Sequence, residues 1–254
     1  MLIGHSLNLL QRILAAHGGK QYWEGIQSIN MRCMLSGATL TMKGYPGMHE
    51  VKATIDTKSQ MVKFEKLGNI CGTFTPEMTS VGEVGSSSPL SIRHKPREHF
   101  RDHTFTTPWD AHHLVYFSGY AFWYYFNLPF VFDRPDIETR EIDAYTGDNG
   151  EIWSGLEVTF PDGFATHTKV QRLYFDDAYR LRRLDYHVDI LPGNPDYVPA
   201  QHHCFDHTVF DQLSVPTTRV ITLFPPGVSN ICAILINGVE IETNEVAKDP
   251  GSRA

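Results

Sequence analysis

Apolar residues at Leu7, Leu10, Ile13 and Leu14 recur at the spacing of one helical face, and Gly18-Gly19 follows as a stop. This pattern predicts a short amphipathic helix over Ser6–Ala16. From Ile26 the texture changes to short runs of β-branched and aromatic residues. They are broken by turn signals such as Tyr45-Pro46-Gly47 and Lys66-Leu67-Gly68, the grammar of an antiparallel sheet. Thr79–Pro96 is rich in Gly, Ser and Pro with little periodicity, so a surface loop or lid is expected there.

Thr107-Pro108-Trp109-Asp110 combines Thr as N-cap, Pro at the first helical position and Asp three residues after the cap. A helix is therefore expected from Pro108 to about Asn127, ahead of Pro129. It is apolar nearly all round and should be buried on most sides, inside the concave face of a half-open sheet. Strands then resume. Leu156, Val158 and Phe160 alternate with Glu157 and Thr159 up to a turn at Pro161-Asp162-Gly163. Thr166–Phe175 and Arg180–Ile190 read as a hairpin, and Thr217–Phe224 and Val228–Ile236 as two strands joined through Pro225-Pro226-Gly227.

Ala16-His17-Gly18-Gly19, followed by Trp23 and Ile29, resembles the opening of the LolA/LppX-like lipoprotein-carrier superfamily over the first sixty or so residues. The segments Pro108-Trp109-Asp110, Tyr116-Phe117-Ser118-Gly119-Tyr120 with Trp123, His167 with Gln171, Asp185-Tyr186 and Pro216-Thr217 resemble bacterial proteins of similar length with no assigned activity. The resemblance implies an α+β fold: a curved antiparallel β half-barrel with an N-terminal helix and a buried aromatic helix on its concave side. It also implies an apolar cavity. One domain over residues 1–242 is expected, with a flexible tail at 243–254.

Composition narrows the partners. Aromatics make up 12% of the chain and concentrate between Trp109 and Phe132, where a core or a ligand wall needs wide, flat surfaces. A formal charge of −7, with Lys and Arg scattered, gives no footprint for nucleic acid or an anionic membrane. Leu114 to Phe132 carries no charge, but four tyrosines, Ser118, Asn127 and Pro129 dilute it, so no membrane span is expected. The opening Met1-Leu2-Ile3-Gly4-His5 lacks the basic and apolar segments of a secretory signal, and a cytoplasmic protein is expected. Cys33, Cys71, Cys204 and Cys232 form no CxxC pair and read as reduced thiols.

Ten of the 13 histidines lie between His94 and His207, interleaved with aspartates. His202-His203-Cys204-Phe205-Asp206-His207 has metal-ligand residue types, but a polar loop is the preferred reading and no metal is assigned. Asp185, His187 and Asp189 alternate with Leu184, Tyr186 and Val188, so hairpin register decides which set faces inward. If Phe175 pairs with Arg180, His167, Gln171 and Tyr186 face an apolar pocket and His187 faces out. If Asp176 pairs with Arg180, His167 and Gln171 join the Asp185, His187 and Asp189 set. The first is preferred, because a few polar groups converging in an apolar pocket is the usual small-molecule site. On the aromatic helix, His112, Tyr116, Gly119 and Trp123 form one stripe, and His113, Phe117, Tyr120 and Tyr124 the next. No GxGxxG, Walker loop or GxSxG occurs.

The leading expectation is thus a cofactor-free small-molecule enzyme of the isomerase, cyclase or lyase type. His167, with Asp110 or Tyr186, would move a proton on a largely apolar substrate. Trp109, His113, Tyr116, Tyr120, Trp123, Gln171 and His202 would line the binding site. The alternative is a non-catalytic carrier of a lipid or hydrophobic metabolite, and a second alternative is a His/Asp metal enzyme.

Overall fold

The computed structural model describes residues 7–86, 88–104, 106–147, 149–188, 200–223 and 232–243. Helix α1 (Leu9–Ala16) starts at a capping box in which Gln11 N donates to Asn8 Oδ1 at 2.9 Å, and it buries Ile13 and Leu14. Its stop is steric as well as conformational. Gly18 has φ 122°, and a Cβ there would sit 2.5 Å from Gln212 O. Two further helices, α2 (Lys20–Glu24) and α3 (Ala38–Met42), were not expected; at five residues each they are too short for apolar periodicity to register.

The strands are β1 (Ile26–Ser36), β2 (Met48–Asp56), β3 (Val62–Leu67), β4 (Ile70–Phe74), β5 (Met78–Glu83), β6 (Ser91–His94), β7 (Glu138–Thr146), β8 (Ile152–Thr159), β9 (Val170–Phe175), β10 (Leu181–Tyr186), β11 (Ala200–Phe210), β12 (Leu213–Leu223) and β13 (Cys232–Thr243). All thirteen join one antiparallel sheet in the order β6-β5-β4-β3-β2-β1-β13-β12-β11-β10-β9-β8-β7. It is two meanders sewn together where β1 pairs with β13, curved and not closed.

This topology makes a demand on the chain. β6 and β7 follow one another in sequence but lie at opposite edges, so the connection has to cross the sheet. It does so on the concave side as α4 (Ala111–Asn127), 17 residues and so about 25 Å long. Every residue of α4 except Ala111 and Phe117 is buried. Gly119 lets it seat against the sheet, because a methyl group there would fall inside the van der Waals envelope of Phe74 Cβ and Cγ on β4. Nearby, Phe74 meets Tyr116 edge-on at 5.5 Å, and Trp123 Nε1 donates to Asp56 O at 2.8 Å. The stripe His112, Tyr116, Gly119, Trp123 is therefore the face by which α4 docks on the sheet.

Three expectations are corrected. Thr79–Pro96 is not a lid: it holds the β5–β6 hairpin, with Thr79 fully buried and Val81 at 8% exposure. Its polar composition belongs to a short strand at the sheet edge. The long helix starts three residues later than expected, with Asp110 as N-cap, because Trp109 N donates to Lys43 O (2.9 Å) and keeps 107–109 out of the helix. The strand expected at Thr166 begins at Val170, so His167 lies in the segment leading into β9. The Pro225-Pro226-Gly227 turn, Asp189 and the tail from 244 lie outside the described residues.

The β9–β10 hairpin combines both registers. At the turn Asp176 N donates to Arg180 O (3.0 Å) and Phe175 pairs with Leu181, as for a three-residue loop. A bulge between Leu181 and Arg183 then shifts the pairing by one, setting Leu184 opposite Leu173 and Asp185 opposite Arg172. The bulge restores the facing of the preferred register: Gln171, Leu173, Leu184 and Tyr186 are buried and His187 is exposed.

Candidate functional site

Between α4 and the second meander lies a cavity of about 70 Å³. Helix α4 supplies Phe117, Ser118, Ala121, Phe122 and Tyr125, the stripe opposite to its docking face, spanning about two turns or ~12 Å. Leu35 of β1, Ile221 of β12 and Cys232 and Ile234 of β13 form the facing wall, with Tyr186 and Val188 at the β10 side. Thr39, Leu40 and Lys43, from α3 and its C-cap, close one end together with Trp109. Ser118 and Ala121 are the small residues among those that α4 turns toward the cavity, and the space exists where they face it.

The Tyr125 end carries a polar network. His167, 1% exposed, makes a 3.0 Å hydrogen bond through Nε2 to the Tyr125 hydroxyl and a 3.4 Å contact through Nδ1 to the Tyr120 hydroxyl. Its ring stacks on Tyr186 at 3.9 Å, and the Tyr186 and Tyr125 hydroxyls are 3.2 Å apart. With no carboxylate among these partners, burial drives the His167 pKa down to about 3, with the Arg97 charge as a smaller cause, and the ring is neutral. Burial also raises the pKa of Tyr125 and Tyr186, so neither is a phenolate. These groups use one another's hydrogen-bonding atoms and present mainly ring surface to the cavity.

Beneath them sits Arg219, 1% exposed, which among the described residues has no carboxylate within 4 Å. Its Nη2 donates to Tyr125 O at 3.2 Å, in the last turn of α4, and its guanidinium lies 5.0 Å from the Tyr125 ring centroid. The negative end of the helix dipole and an otherwise unpaired carbonyl thus stand in for a counter-ion. Arg219 Nη1 contacts His202 Nε2 at 3.4 Å, and His202 packs edge-on against Tyr125 at 4.6 Å.

Asp110 is not in this site. As the N-cap of α4 it accepts from His113 N (3.0 Å) and is gripped by both Arg93 terminal nitrogens (3.1 and 2.6 Å). Burial opposes ionisation, but Arg93 and the His113 N–H win and hold the carboxyl at about 2. His167 meets α4 at Tyr120 and Tyr125, ten to fifteen residues further along, roughly 15–22 Å down the helix axis. The expected Asp110–His167 pair does not form. Asp110→Ala should therefore cost about 1 kcal/mol in urea unfolding through the lost cap, with ligand affinity unchanged. An affinity loss beyond tenfold would place Asp110 in the site after all.

Of the other expected site residues, Tyr186 and Trp109 line the cavity and the rest do not. His113 packs against Phe100 and His103, Tyr116 against Phe74 and Phe100, and Trp123 against Phe164. Tyr120 meets the site indirectly, through His167. Gln171 ties down the 166–168 segment through Thr166 Oγ1 (2.9 Å) and Thr168 O (3.0 Å). The His202–His207 segment is strand β11, not a loop, so His202 points inward and His203 to the other face. Among the described residues no group of three or more His, Cys, Asp or Glu side chains is arranged to hold a metal ion.

No family model and no curated protein matches the sequence. Solved structures do match the architecture. A LolA superfamily protein from Nitrosomonas europaea aligns over 94% of this chain and 96% of its own, with a TM-score of 0.51 at 8% identity. The fold is of the LolA type. A DUF1329 family protein from Desulfovibrio piger aligns over 92% of both chains with a TM-score of 0.52 at 9% identity. In this LolA-type half-barrel, no helix among the described residues is long and apolar enough to cross a membrane. The residues missed in the sequence were Phe122 and Tyr125 of α4, Leu40 and Lys43 near α3, and the apolar wall from β1, β12 and β13. The signal for the helical part was present: Ser118, Ala121, Phe122 and Tyr125 follow i, i+3, i+4, i+7, with small residues marking the gap.

Proposed function

We propose that the protein is a non-catalytic carrier that holds an apolar or amphipathic small molecule between α4 and the β1, β12 and β13 wall. The observation that carries this reading is an almost wholly apolar cavity placed where the inward face of an aromatic helix carries two small side chains, Ser118 and Ala121. An empty apolar void forfeits packing contacts that a ligand restores. The partly exposed lining residues Thr39, Phe117, Val188 and Cys232 mark the side by which a longer chain leaves the cavity. The proton-transfer alternative has less support: the buried imidazole is a weak base, its nitrogens face phenols, and the only carboxylate assigned to it lies elsewhere.

Ala121→Leu tests the proposal, because it fills the cavity without adding a polar atom. The variant should keep or slightly raise the unfolding midpoint, as cavity-filling substitutions commonly do. Its affinity for an apolar fluorescent probe such as N-phenyl-1-naphthylamine should fall at least tenfold. Equal affinity in the two proteins would show that the probe binds elsewhere and overturn the assignment.

A further inference from the structure

The two ends of the cavity differ in a way that an apolar ligand alone does not explain. Lys43 is 0% exposed, and among the described residues no carboxylate lies within 4 Å of it. Its ammonium donates to Thr104 O (2.9 Å) and Thr107 O (3.1 Å) and lies 5.2 Å from the Trp109 ring centroid. An ammonium has three N–H donors, so one remains beyond those two carbonyls. Beside it, the buried Trp109 Nε1 and Thr39 Oγ1 have no hydrogen-bond partner among the described residues, although Trp109 is only 6% exposed. Unpaired buried donors are rare, and a buried charge with no counter-ion is rarer still. Here the charge and two such groups belong to residues that line the same end of one cavity. Burial pushes the Lys43 pKa down to about 8, which still leaves the group mostly charged at neutral pH.

We infer that this end receives the carboxylate of a single-chain amphiphile, a fatty acid or a comparable monoanionic acid, with the start of its tail along Ala121 and Ile234. The cavity of about 70 Å³ takes only part of such a chain, and the remainder lies beyond the partly exposed rim. A carboxylate is acceptor-only and carries one negative charge, which suits one ammonium and neighbouring donors. A phosphate dianion would ask for more positive charge than the one lysine supplies. The tail then meets side chains that offer ring and aliphatic surface, and the head stays beside the partly exposed Thr39. This rests on the carrier reading above and adds the chemistry of the headgroup.

The test is a matched pair of ligands, dodecanoate and methyl dodecanoate, titrated into the intact protein at neutral pH. The wild type should bind the acid at least tenfold more tightly than the ester. In Trp109→Phe, which keeps the ring wall but removes the indole N–H, the preference should shrink, and in Lys43→Met it should vanish. Equal binding of acid and ester by the wild type would overturn the headgroup assignment and leave the apolar cavity standing. Binding of neither would overturn the carrier reading itself. The wild-type comparison needs no variant to fold, and Trp109→Phe serves if Lys43→Met, which loses two ties to the 104–107 segment, is unstable.

Discussion

Gly119→Ala is expected to destabilise the protein by about 3 kcal/mol or more, although glycine-to-alanine inside a helix ordinarily stabilises by up to about 1 kcal/mol. The added methyl meets Phe74 at Cβ and Cγ, the part of that side chain least able to move, since β4 is hydrogen-bonded to β3 and β5 on either side. Either α4 lifts from the sheet or Phe74 leaves its place, and both open the core along the docking face. Overpacking of this kind typically costs about 1–3 kcal/mol, and here it also loosens the element that fills the concave side. Urea unfolding measures it. In the double variant with Phe74→Ala, the two losses should sum to clearly more than the observed change, because each relieves the other. A stabilised Gly119→Ala protein would mean that α4 does not dock through this face.

The second large effect is acid unfolding in a window set by histidines. His17, 3% exposed and hydrogen-bonded to Ile13 O, has its pKa lowered by burial to about 4, and His167 has its lowered to about 3. Because these values lie below the ordinary 6.5, the unfolded chain takes up protons that the native state refuses. Their stabilising contribution is complete above pH 6.5 and declines as pH falls toward 4 and then 3. A tenfold difference in proton affinity between the folded and unfolded chains is worth about 1.4 kcal/mol. By about pH 3 the two groups together therefore remove a large share of the stability ordinary for a domain. His202, lowered for the same reason and by the Arg219 charge, acts in the same direction. Urea midpoints from pH 7 to 4 should fall steeply below about pH 6, with His167→Gln flattening the slope by about one proton. A midpoint constant from about pH 7 to 5 would contradict the buried, neutral assignment.

How far the sequence foretells this arrangement depends on the range over which each signal acts. Helix α1 and its Gly18 stop, the aromatic helix ending before Pro129, and most of the sheet are local patterns and can be read directly. The start of α4 is misread because Thr107-Pro108 has the residue types of a cap, whereas the backbone tie that decides the matter joins Trp109 to Lys43, far back in the chain. The facing of Tyr186 and His187 follows from a bulge at the β9–β10 turn that no alternation reveals. Asp110 and His167 are both chemically plausible, but sequence does not measure the distance along a helix that separates them. Lys43 is missed for another reason. A lone lysine after a five-residue helix reads as surface, and only the fold brings it under Trp109 and buries it.

Native mass spectrometry of the protein offered one amphiphile at a time, in parallel with Ala121→Leu, tests the central claim most directly. The wild type should retain one dodecanoate per chain while Ala121→Leu retains little or none. Wild-type protein that takes up no apolar ligand, or an Ala121→Leu variant that takes up the same amount, would contradict the assignment of this cavity as the working site.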